Sequence, residues 1–98
     1  MLGPLVDQLI RCREDCTLRH LESLAMIGLV QDVEEEVCTH SRFKRIKVRL
    51  FDGGFVSSAC YFEEEVKQSI VIIRTYINIA KENNAIGKLQ IVKLAKSD

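Results

Sequence analysis

The sequence predicts an α+β fold in a single domain over residues 1–98: N-terminal helices, an antiparallel β-meander with a hairpin, a long amphipathic helix and a C-terminal strand. Three features predict it: the alternating stretch KRIKVRL, the turn signal FDGGF that follows it, and a helical apolar stripe from Val66 to Ala80. With 47% hydrophobic and 29% charged residues, the chain has the composition of a globule that buries its own core.

The N-terminal region is predicted to form two short helices. Pro4 suits the first turn of a helix, and an apolar face then recurs at Leu5, Leu9, Cys12 and Cys16. The apolar stripe changes side afterwards and continues through Leu18, Leu21, Leu24 and Ala25. We therefore expect a break near Glu14 and Asp15, with Asp15 capping the second helix and Gly28 ending it in a left-handed conformation.

The stretch VQDVEEEV fits a helix and a strand about equally, and a strand is favoured because the next stretch alternates cleanly and needs a partner. In that next stretch Ile46, Val48 and Leu50 point to one face and the basic residues to the other. The hairpin loop can hold two or three residues. Three would place Val56, Ser58, Cys60 and Phe62 on the apolar face, whereas two would place Phe55, Ala59 and Tyr61 there.

A long helix is predicted from about Phe62 to Asn84. Three glutamates at 63–65 occupy its first turn, where the helix dipole favours negative charge. Gly87 and the asparagines before it are expected to end the helix, and KLQIVKLA is expected to form an interior strand reached by a right-handed crossover.

The apolar surface of this helix predicts self-association. One stripe comprises Val66, Ile70, Ile73, Ile77 and Ala80. A second stripe beside it, Ile72, Tyr76 and Ile79, makes the apolar face wider than one sheet contact usually needs. The N-terminal helices can cover the second stripe, and if they do not, a second copy of the chain is the simplest partner. The stripe is therefore the predicted homodimer interface.

The basic stretch RFKRIKVR has two interpretations. Its cations could bind phosphates, and with a three-residue loop Phe55 and Tyr61 would stand beside them to stack bases. The candidate basic residues are Arg42, Lys44, Arg45, Lys47 and Arg49. The run LRHLESLAMIGLV, a charged strand and RFKRIKVRLFDGG also resembles the recognition helix and wing of winged-helix DNA-binding proteins, which implies the same contacts. Alternatively, an antiparallel VQDVEEEV strand would bring Glu34 and Glu36 near the basic side chains and neutralise them.

The residues available for chemistry are few. Cys12, Cys16 and His20 could hold a metal with Cys38 and His40, but no zinc-knuckle turn is present, and we expect neither a metal nor a cofactor. The four cysteines are expected to be buried thiols. A thiolate pair of Cys38 with His40 is the best case for a thiol-dependent enzyme, and nothing else in the sequence supports its activation.

The charge and hydropathy patterns predict where in the cell the protein is located. The formal net charge is zero, no apolar run reaches the length that spans a bilayer, and the N-terminus lacks the basic region of a signal peptide. We expect a cytoplasmic protein without membrane contact. Together these features predict a non-enzymatic, homodimeric interaction or regulatory module that binds itself and an unidentified protein, with nucleic-acid binding as the alternative.

Overall fold

The computed structural model describes residues 9–97, and the side chains of residues 9–83. The elements in chain order are α1 (Leu18–Met26), β1 (Val30–Val37), β2 (Phe43–Leu50), β3 (Phe55–Ser57), β4 (Tyr61–Phe62) and α2 (Glu63–Ser97). The strands form one antiparallel sheet in the order β1-β2-β3, and β4 pairs with the start of β2. This arrangement confirms the α+β class, the meander and the assignment of VQDVEEEV as a strand.

The core lies between the sheet and the helices. Helix α2 packs across β1 and β2, and α1 packs against α2. The sheet contributes buried side chains from every second position, Ile46, Val48, Leu50 and Val56, and α2 contributes the predicted stripe Val66, Ile70, Ile73 and Ile77. Burying each such side chain contributes roughly 1.5 to 3 kcal/mol, so this interface is the main source of stability.

Helix α1 has a defined cap at each end. Thr17, not Asp15, is the N-cap, and its side chain accepts a 3.0 Å hydrogen bond from the backbone N–H of His20. At the other end Gly28 adopts φ 81°, as predicted. The N–H of Gly28 bonds to the Ala25 carbonyl and that of Leu29 to the Leu24 carbonyl, the two bonds of a Schellman motif.

Of the other predicted N-terminal helix, only Leu9 is helical in the described residues. Residues 1–8 of that prediction lie outside the described residues, and residues 10–17 form an irregular segment instead of a helix. This segment runs along the edge of β3: Ser57 donates to the Arg13 carbonyl at 2.8 Å, and Cys16 donates to the Ser57 carbonyl at 3.1 Å. Its backbone groups are satisfied by the sheet edge, which a helix could not have covered in this way.

The hairpin between β2 and β3 has the three-residue loop. Leu50 donates to the Gly54 carbonyl at 2.8 Å, and Val48 lies opposite Val56. Gly53 has φ 91°, a conformation that favours glycine, and the Asp52 carboxylate accepts a 2.8 Å bond from Gly54. The three-residue alternative is therefore correct for Val56 and Ser58, which are both buried, but wrong for Cys60 and Phe62, which are exposed because the chain leaves β3 after Ser57.

The predicted C-terminal strand is wrong. The stretch KLQIVKLA belongs to α2, which continues without interruption to Ser97, and the crossover unit is therefore absent from residues 9–97. A glycine inside a helix costs only about 1 kcal/mol relative to alanine, so Gly87 did not suffice to end it. Lysine, leucine, glutamine and alanine, which make up most of that stretch, are good helix formers.

The cysteines also differ from the prediction, because all four form disulfides: Cys12 with Cys16, and Cys38 with Cys60. The second pair connects the end of β1 to the segment before β4, with 6.4 Å between the two Cα atoms. Closing a loop of this length stabilises a protein by roughly 3 kcal/mol in the chain-entropy account.

Candidate functional site

The outer face of the sheet carries the predicted basic ladder, and an acidic ladder lies directly beside it. In the β1–β2 register the facing pairs are Asp32 with Arg49, Glu34 with Lys47, and Glu36 with Arg45. The sequence predicted that Glu34 and Glu36 would lie near Arg45 and Lys47, and the register confirms it. Each acidic residue of the β1 ladder faces a basic residue of the β2 ladder, so the two ladders together carry equal numbers of each.

Two of the basic side chains also contact an aromatic ring. The Lys47 ammonium lies 4.3 Å, and the Arg49 guanidinium 5.3 Å, from the centre of the Phe55 ring. Phe55 stands beside the cations as the three-residue loop required, but Tyr61 does not, because it pairs with Lys44 and packs against the core. A cation on an aromatic face is worth about 0.5 to 1 kcal/mol at an exposed site.

The remaining candidate cations, Arg42 and Lys44, lie near the acidic start of α2. The Arg42 carbonyl accepts a bond from the Glu63 backbone, and the Lys44 ammonium is 3.6 Å from the Glu63 carboxylate. Lys67, one turn along the helix and 3.0 Å away, lowers the pKa of Glu63 chiefly by a hydrogen bond and its charge, with a further contribution from Lys44. The basic candidates are thus divided between two separate surroundings, both of which contain carboxylates.

The second stripe of α2 is covered only on one side. Tyr76 is half-buried and packs against the core, whereas Ile72 and Ile79 remain 39% and 47% exposed. Helix α1 flanks the stripe: Ser69 donates a 2.7 Å hydrogen bond to the Glu22 carboxylate, and Met26 lines a cleft with Tyr76. Helix α1 therefore covers the stripe in part, and Ile72 and Ile79 stay exposed within this chain.

Met26 is a neighbour of this stripe that the sequence analysis did not single out. It is 58% exposed at the end of α1 and lies beside Tyr76 across the cleft. Because Met26 lies beside the apolar stripe of α1, the sequence could have identified it as an apolar surface residue. Only the packing of α1 against α2 places it next to Tyr76. Met26, Ile72, Tyr76 and Ile79 are called the apolar patch below.

A third arrangement brings together residues of the irregular segment and α1. The Cys12 and Cys16 sulfurs and a ring nitrogen of His20 all lie within 4.8 Å of one another. Cys16 is 1% exposed, and the Nε2 atom of His20 is buried without a hydrogen-bond partner. The other pair considered from the sequence is separated: Cys38 is bonded to Cys60, and exposed His40 packs edge-on against Phe43.

Comparison with protein-family models, curated proteins and solved structures finds no significant match to this chain. Within residues 9–97, no helix combines the length and the apolarity needed to cross a membrane. The class that the geometry defines is a small α+β domain in which acidic residues of β1 face basic residues of β2 and part of one helix stripe is exposed.

Proposed function

We propose that this protein is a non-enzymatic interaction module that forms a homodimer through the apolar patch. The observation that carries the proposal is that Ile72 and Ile79 are exposed on a helix whose first apolar stripe is already buried in the core. Exposed apolar residues that cluster on a surface typically mark an association site.

The surroundings of the patch favour a second copy of the chain over a charged partner. On the solvent side, Ile72 has the uncharged neighbours Gln68 and Thr75, and Ile79 has Thr75 and the exposed Glu82. Two identical surfaces therefore bring together few charges, with Glu82 at one end of the patch. The chain as a whole has a formal net charge of zero, which also gives no long-range barrier to self-association.

The spacing of the patch suits helix-on-helix packing. Ile72, Tyr76 and Ile79 are separated by four and three residues, the alternation found where two helices pack side by side. Asn83, four residues further on, continues the same line and is exposed. A polar residue in such a seam fixes the register and oligomeric state of paired helices, and in a two-fold dimer the patch would meet its own copy.

Sedimentation velocity over a range of concentrations tests the dimer. The wild-type protein is expected to reach twice the 11.2 kDa monomer mass at high micromolar concentration. Ile79→Lys should weaken dimerisation at least about tenfold, equivalent to 1.4 kcal/mol, because it puts a hydrated charge in the seam. Since Ile79 is already 47% exposed in the monomer, the variant should still fold.

Val71→Lys is the matched control. Val71 is 64% exposed on the same helix but lies about 100° away from Ile72, outside the patch. It should dimerise as the wild type does. A wild-type protein that stays monomeric at every concentration, or equal weakening by the Val71 and Ile79 substitutions, would contradict the proposal.

Nucleic-acid binding has less support as a function. The three cations of the outer sheet face each lie opposite a carboxylate, and the first turn of α2 adds three glutamates near Arg42. Phosphate binding depends on unneutralised positive charge, so this distribution favours the interaction module.

The cytoplasmic location predicted from the sequence can be tested through the cysteines. Reducing compartments keep such thiols reduced, and persistent disulfides are typical of oxidising ones. We infer a cytoplasmic location if all four cysteines of protein taken directly from cells react with an alkylating reagent. Two intact disulfides in that protein would place it in an oxidising compartment.

A further inference from the structure

We propose that Cys12, Cys16 and His20 form a zinc site when the Cys12–Cys16 disulfide is reduced. In the part of the chain whose side chains are described, this is the only group of three cysteine, histidine or acidic side chains with donor atoms close enough to share an ion. Two thiolates and one imidazole are ligands that Zn²⁺ binds strongly.

The spacing of the donor atoms fits a tetrahedral ion. With Zn–S bonds of about 2.3 Å and a Zn–N bond of about 2.0 Å, tetrahedral ligand atoms stand roughly 3.5 to 3.8 Å apart. The two sulfurs and the imidazole nitrogen already lie within 4.8 Å of one another. In the oxidised protein the two sulfurs are bonded to each other, with 5.1 Å between the Cα atoms, so reduction must come before they can separate to this distance.

The state of His20 is an independent indication. Its Nε2 atom is buried and has no hydrogen-bond partner, although buried polar atoms are nearly always satisfied and an orphan costs roughly 1 to 3 kcal/mol. A metal ion at the two sulfurs would accept the lone pair of a ring nitrogen and remove part of this cost. The backbone N–H of His20 donates to the Thr17 side chain in the helix cap, which fixes the first turn of α1 that carries this residue.

The cluster is also anchored to the rest of the fold. The Cys16 backbone forms hydrogen bonds in both directions, donating to the Ser57 carbonyl and accepting from Ala59 at 3.0 Å. Asp15 lines the same recess, but its carboxylate is not part of the cluster. A bound ion would tie the irregular segment to the first turn of α1.

The chemistry requires a dithiol reductant. Thiol–disulfide exchange transfers two electrons and two protons from the dithiol to the Cys12–Cys16 bond, which yields two cysteine thiols and oxidises the reductant to its own disulfide. Binding of Zn²⁺ then displaces the two thiol protons, because the ligands are thiolates. Under reducing conditions a bound zinc ion would consequently replace the disulfide as the connection between Cys12 and Cys16.

Cobalt substitution tests the site directly. Fully reduced protein, kept free of oxygen, is titrated with Co²⁺, and the expected result is one ion per chain with the visible absorption bands of tetrahedral cobalt and thiolate-to-cobalt charge transfer. Zinc should displace the cobalt and raise the Tm of the reduced protein, because the ion binds the folded state. The oxidised protein should show neither the spectrum nor the Tm shift.

The variants separate this site from the other cysteines. Cys12→Ser and His20→Gln should each weaken cobalt binding at least about tenfold, in line with loss of a ligand. The control Cys38→Ser/Cys60→Ser lacks the other pair and should retain the spectrum. His20→Gln keeps both thiols and replaces a partly exposed side chain, so it remains informative if a cysteine variant fails to fold.

Three results would overturn the assignment. They are the absence of a tetrahedral thiolate spectrum in the reduced wild type, dependence of that spectrum on Cys38 or Cys60, and unchanged binding by the His20→Gln variant.

Discussion

Arg45 and Glu36 lie opposite one another on neighbouring strands, and the Arg45 Nε donates a 2.9 Å hydrogen bond to a Glu36 carboxylate oxygen. The two side chains are 42% and 30% exposed, so water screens their attraction. They are one step of the acidic and basic ladders that cover the outer face of the sheet. This ion pair links β1 to β2, and the register places a carboxylate opposite Lys47 and Arg49 as well.

The first prediction concerns the strength of this pair. A double-mutant cycle with Arg45→Met and Glu36→Gln should give a coupling energy of about 0.2 to 1 kcal/mol, because the pair is partly exposed. Urea unfolding of the four proteins measures it. High salt should reduce the coupling, and a coupling of zero would show that the hydrogen bond does not persist in solution. Dimerisation should be unchanged in the Arg45 variant.

The second prediction concerns nucleic acid. Wild-type protein should bind labelled duplex and single-stranded nucleic acid weakly at low salt, whereas Glu34→Gln/Glu36→Gln should bind more tightly, because Lys47 and Arg45 lose the carboxylates opposite them. Fluorescence anisotropy at several salt concentrations measures both affinities. Glu82→Gln, which removes an exposed carboxylate from α2 away from the basic strand, is a control that should not strengthen binding. Tight, strongly salt-dependent binding by the wild type would instead support the nucleic-acid alternative.

The third prediction concerns Ser58, whose side-chain hydroxyl takes the place of a backbone hydrogen-bond acceptor just after β3 ends. Its buried hydroxyl accepts a 2.9 Å hydrogen bond from the Ile46 N–H and donates one of 2.7 Å to the Ala59 carbonyl. Ser58→Ala should lower the free energy of unfolding by about 1 to 3 kcal/mol, because it leaves the buried N–H unsatisfied. Urea denaturation measures the loss.

Ser57→Ala is the control for that substitution, since Ser57 takes part in the sheet through its backbone. It should change stability by less than about 0.5 kcal/mol. Equal effects at the two positions would mean that the Ser58 hydroxyl does not support the strand.

The fourth prediction concerns the pH dependence of Glu63. Its pKa is lowered in the folded protein, so its contribution to stability is complete above the unfolded pKa and is lost as the pH falls through the folded pKa. The pKa of Lys67 is raised chiefly by the hydrogen bond to Glu63, so its contribution holds below the unfolded pKa and is lost as the pH rises through the folded one.

Lys67→Met should therefore raise the pKa of Glu63 toward its ordinary value and weaken the acid dependence of stability. An NMR titration of the Glu63 side-chain carboxyl carbon measures the shift. Lys81→Met, farther along the same helix, should leave that pKa unchanged. If Lys67→Met has no effect, the ion pair is absent in solution.

The sequence alone determined the elements whose signals are local. The period of two around Val48, the glutamates that begin α2 and the glycine that ends α1 each act within a few residues, and the structure has all three where they were expected. The position of Glu36 near Arg45 could also be inferred, because a short turn between two strands leaves few possible registers.

Tertiary structure decided what depends on distant contacts. The sequence allowed two hairpin registers, and the packing of Val56 in the core selects one of them. Cys38 meets Cys60 only because the sheet brings together residues that are 22 apart in the chain. The helix through KLQIVKLA shows the same limit, since an apolar stretch forms a strand only where a neighbouring strand is available to pair with it. Local sequence sets the preference of a segment, and the free energy of packing against the rest of the chain sets the outcome.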